Sequence, residues 1–63
     1  MDSDRSELSA LATSLDEITA RVTAVADRYR GSPQGHVSDG LDEVERALGA
    51  AARQLERVLR SMQ

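Results

Sequence analysis

The chain has 63 residues, a net charge of −3, one His and no Cys. That is one small domain at most, with no disulfide or thiolate zinc site and no imidazole pair for a metal within one chain. Domains of this size are marginal unless they are cross-linked, hold a metal or associate, and here association is the route left open.

The acidic balance argues against general nucleic-acid binding. No run of about 20 apolar residues exists to span a membrane. Met1-Asp2-Ser3-Asp4 is acidic and no apolar stretch follows it, so no cleavable signal peptide is expected. The expected location is the cytoplasm, with export by a signal-less route left open. All eight basic residues are Arg, beside many Ala, a composition typical of GC-rich coding sequence.

Larger apolar residues first recur at Leu8, Leu11, Leu15, Ile18, Val22, Val25 and Tyr29, in alternating steps of 3 and 4. This heptad seam predicts an amphipathic helix over about residues 4–30. Asp2, Asp4 and Glu7 load its start, with capping-box spacing from Asp4 to Glu7. Arg28, Arg30 and then Gly31, a left-handed C-cap residue, mark its end.

Gly31-Ser32-Pro33-Gln34-Gly35-His36-Val37 reads as a loop over about residues 31–37. Ser38 or Asp39 is the expected N-cap of a second helix over about residues 38–62. The alternative is an earlier start, with Ser32 and Pro33 as cap and first helical residue. Asp39, Asp42, Glu43 and Glu45 load the start of this helix; Arg53, Arg57 and Arg60 lie near its end.

A second seam runs through Val37, Leu41, Val44, Leu48, Ala51, Leu55, Val58 and Met62. A short loop between two seams predicts an all-α antiparallel helical hairpin. The expected register sets Tyr29 beside Leu41, Val22 beside Leu48, Ile18 beside Ala51 and Leu8 beside Met62.

Most of the flanking positions that a self-sufficient two-stranded coil would charge are small or apolar here. They include Ala12, Thr19 and Ala26 in the first helix, and Ala47, Ala52, Gln54 and Leu59 in the second. Ala47, Ala50, Ala51 and Ala52 with Gly49 suit close approach of a further helix. Two hairpins are therefore expected to pair as a four-helix bundle, most simply as a homodimer, or with another small helical protein.

No catalytic, cofactor-binding or metal-binding constellation is expected. His36 lies in a Gly-flanked loop with no nucleophile or orienting acid in motif spacing. The Asp39–Glu45 carboxylates match no EF-hand spacing and read as helix-start electrostatics. Glu17 with Arg21 and Glu56 with Arg60 have the spacing of helix-surface pairs.

Arg46, Arg53 and Arg60 recur every seven residues, with Arg57 beside them. The stripe reads first as a solvated face and second as a docking site for an acidic partner or a phosphate-bearing ligand.

The Tyr29-Arg30-Gly31 step between two helices resembles the Trp-x-Gly turn of the WXG100 proteins of type VII secretion. Those are helical hairpins that pair as four-helix bundles. Tyr stands here where that family has Trp, the chain is shorter, and its loop carries additional Gly and Pro. The resemblance implies pairing with another small helical protein and assigns no residue a role. The reading as a whole is a non-enzymatic protein–protein interaction module. Its alternatives are a type VII secretion partner and a ligand-binding regulator using the arginine face.

Overall fold

The computed structural model describes residues 2–62, with side chains from Ser3 onward. Two helices, α1 (Asp2–Tyr29) and α2 (Gly35–Ser61), pack side by side as an antiparallel hairpin. The molecule is a flat rod whose Cα atoms extend 49 × 14 × 9 Å.

α1 stops where expected. The Arg30 N–H still reaches the Ala26 carbonyl at 3.1 Å, and Gly31 then turns the chain with φ of +78°. An L-residue with a side chain is strained in that conformation, whereas Gly adopts it freely.

α2 begins earlier than the Ser38 or Asp39 cap implies. Ser32 builds the turn that starts it. Its hydroxyl donates to the Tyr29 carbonyl at 2.7 Å and accepts the Gln34 N–H at 3.1 Å. Its carbonyl accepts the Gly35 N–H at 3.1 Å. Pro33 has no N–H to satisfy. Helical backbone is thus set up by Gly35, with Gln34 at the cap position and no side-chain cap bond. Ser38 is inside the helix, buried, and donates to the Gly35 carbonyl at 2.9 Å. The first turn consequently carries no acidic residue, and Asp39 to Glu45 lie beyond it. Asp4 likewise lies inside α1 rather than capping it.

Two contacts across the helices fix the register. Thr23 donates to Glu45, and Arg30 donates to both Asp42 oxygens at 3.3 and 3.2 Å. The mean of the two contacts, carried along the helices, sets Tyr29 level with Leu41, Val22 with Leu48 and Leu15 with Leu55, in line with the expected register.

The rotation of each helix about its axis differs from the expected one. α1 turns Leu8, Ala12, Leu15, Thr19, Val22, Ala26 and Tyr29 toward α2. α2 answers with Ser38, Leu41, Glu45, Leu48, Ala52, Leu55 and Leu59. Leu8, Leu15, Val22 and Tyr29 of the expected α1 seam and Leu41, Leu48 and Leu55 of the α2 seam are kept. At the positions between them, the residue after each heptad apolar residue takes its place: Ala12 for Leu11, Thr19 for Ile18, Ala26 for Val25.

Small residues at these positions let the helices approach closely, and Ala26 is fully buried. Thr19 meets its own polar need by donating to the Leu15 carbonyl at 2.8 Å. Ile18 and Ala51, expected face to face inside the seam, are level with one another but both exposed.

Candidate interaction surfaces

The rotation leaves large apolar side chains outside. Leu11, Ile18, Val44 and Val58 are 43–49% exposed, and Met62 is 37% exposed. Outward residues of α1 each precede a seam residue by one position, and so do those of α2. The displacement has the same rotational sense in both helices. Between helices that face each other antiparallel, it carries both stripes to the same side. The hairpin therefore has an apolar side and a polar side.

A shallow groove lies along the α1 half of this side, lined by Ile18, Arg21, Val22, Val25 and Leu41. Its four α1 residues have the i, i+3, i+4, i+7 spacing that forms a hole for a side chain of a facing helix.

The polar side carries the Thr23–Glu45 and Arg30–Asp42 bridges. Asp27 adds a second carboxylate to Arg30 at 3.3 Å. The Arg30 hydrogen bond holds the Asp42 carboxyl below its ordinary pKa, and Asp42 raises that of the guanidinium. Both groups are solvated, so their attraction is screened.

The residues singled out on α2 divide between these surfaces. Ala47 and Ala51 lie on the open apolar side, and both are exposed. Ala52 and Leu59 are half-buried in the hairpin's own seam, with Gly49 beside them. Arg46, Arg53, Arg57 and Arg60 are exposed on the outer face of α2, turned away from the apolar side. Arg46 approaches Glu43 at 3.9 Å. Among the described residues, no carboxylate lies within 4.0 Å of Arg53, Arg57 or Arg60. The Glu56–Arg60 pair is thus not formed, nor is Glu17–Arg21.

His36 is exposed in the first turn of α2. Among the described residues, no three His, Asp or Glu side chains cluster to hold a metal ion, and no helix is long and apolar enough to cross a membrane. A face open to a further helix is expected from the sequence; that Leu11, Ile18, Val44 and Val58 lie on it, rather than flanking alanines alone, is not.

Comparison of the chain with protein-family models, with curated proteins and with solved structures finds no match. The resemblance at Tyr29-Arg30-Gly31 therefore has no matching family model behind it.

Proposed function

We propose that the chain is a non-enzymatic protein–protein interaction module, a helical hairpin that works with a second two-helix layer over its apolar side. The exposed row of Leu11, Ile18, Val44 and Val58 carries this reading. Four large aliphatic side chains on one side of so small a protein stay nearly half exposed, and covering them recovers about half of the 1.5–3 kcal/mol that full burial of each contributes. The single hairpin, moreover, has no large side chain fully buried among its described residues.

In this reading the apolar side is for pairing, while the polar side and the outer face of α2 are presented to partners. Helix melting followed by circular dichroism over a hundredfold dilution tests it. A paired hairpin melts at lower temperature when dilute. A fully helical chain with concentration-independent melting would end the reading.

A second reading has one observation in its favour, the unpaired Arg53, Arg57 and Arg60. These guanidinium groups suit an acidic protein surface or a phosphate-bearing ligand. Salt-sensitive stabilisation by inorganic polyphosphate would support it, and no shift would dismiss it.

A further inference from the structure

We infer that the second layer is a second copy of this chain, docked so that α1 of each copy lies on α2 of the other, about a two-fold axis parallel to the helices. This rests on the proposed pairing through the apolar side.

The register supplies the first reason. Leu11 lies level with Val58, Ile18 with Ala51, and Val25 with Val44, in three rungs seven residues apart. Rotation about an axis along the helices keeps every level and exchanges the helices. Leu11 then meets Val58 of the second copy, Ile18 meets its Ala51 and Val25 its Val44. Two rungs pair a larger residue with a smaller one, as interdigitating layers require. Ala51 and Ala47 of the second copy come level with the groove between Ile18 and Val25, which accepts a small knob.

Charge supplies the second. Arg28 and Glu43 lie one level apart on opposite outer rims of the apolar side, and both are exposed. The same rotation brings Arg28 of each copy beside Glu43 of the other, twice per dimer. This rim pair is thus complementary to itself, as an isologous two-fold contact requires.

The other face-to-face arrangement, α1 on α1 and α2 on α2, sets Ile18 on Ile18 and Ala51 on Ala51. It separates one helix pair and crowds the other, and it places the two loops at opposite ends.

Absence of Cys makes the test direct, because any disulfide formed comes from introduced residues. Ile18→Cys and Ala51→Cys chains are prepared separately, then refolded together and oxidised. The inferred docking gives a disulfide-linked species of doubled mass from the mixture and little from either chain alone. Leu11→Cys mixed with Val58→Cys must behave likewise, which covers failure of the first pair to fold.

Self-linking of Ile18→Cys alone would overturn this docking in favour of α1 on α1. A dimer by mass that links in none of these ways would overturn the docking side while leaving the pairing intact. A helical monomer would overturn both the docking and the proposed function.

Discussion

Replacing Ala26 by Leu separates the observed seam from the one the heptads suggest. Ala26 is fully buried between the helices, whereas Val25 beside it is only half-buried and edges the open side. Ala and Leu are both strong helix formers, so Ala26→Leu changes little but packing. Three further carbon atoms must enter a contact that has no room for them. Overpacking of this kind costs about 1–3 kcal/mol. In a domain of this size each kcal/mol moves the melting temperature by about 4–8 °C, so a fall of about 4–24 °C is expected. Val25→Leu adds a single carbon atom at the edge of the proposed pairing surface, a much smaller change, and should cost less than Ala26→Leu. Melting of all three proteins at one fixed concentration, followed at 222 nm, gives the comparison. A neutral Ala26→Leu beside a damaging Val25→Leu would refute the observed rotation and restore the heptad seam.

Three other substitutions follow from individual contacts. Gly31→Ala meets no atom within 4 Å of the new Cβ, but φ of +78° penalises it, and a loss of about 1–2 kcal/mol in chemical denaturation is expected. Gly40→Ala, inside α2 with equally open surroundings, should stabilise by about 0.4–1 kcal/mol in the same assay. Asp42→Asn removes a carboxylate whose pKa is lowered by Arg30 from 3.8. A lowered carboxyl stabilises above its unfolded value and loses that contribution as pH falls through the folded one. The variant should therefore melt below the parent near neutral pH, and the gap should close as pH falls below about 4.

Much of the hairpin was legible in the sequence because its signals are local. The alternating steps of 3 and 4 define two helices, and Gly31 followed by Pro33 separates them. The register, too, follows once a short loop is placed between two seams. What periodicity cannot convey is which flank of a wide stripe faces which neighbour. Leu8, Leu11, Leu15, Ile18 and Leu8, Ala12, Leu15, Thr19 have the same heptad rhythm. Size alone suggests the first. The structure takes the second, since small residues permit close approach while larger ones remain for a further surface. The start of α2 was obscured for another reason. Ser38 and Asp39 are good capping residues, yet the Ser32 turn has already satisfied the backbone three residues earlier, and no cap is needed.

The same rotation divides the candidate site. Ala52 and Leu59, which read as flanking positions, belong to the seam, while Ala47 and Ala51 remain on the open side with Ile18 and Val58. The arginines were legible as a stripe from their spacing. That Arg53, Arg57 and Arg60 have no carboxylate partner among the described residues was not, because Glu56 and Arg60 have the spacing of a pair without forming one.

Solution mass by light scattering, over a hundredfold dilution of the purified chain, tests the covering of the apolar side most directly. Two copies give twice the chain mass of 6.8 kDa, falling only as helicity falls with it. A mass of 6.8 kDa at every concentration, with helicity undiminished, would contradict the account.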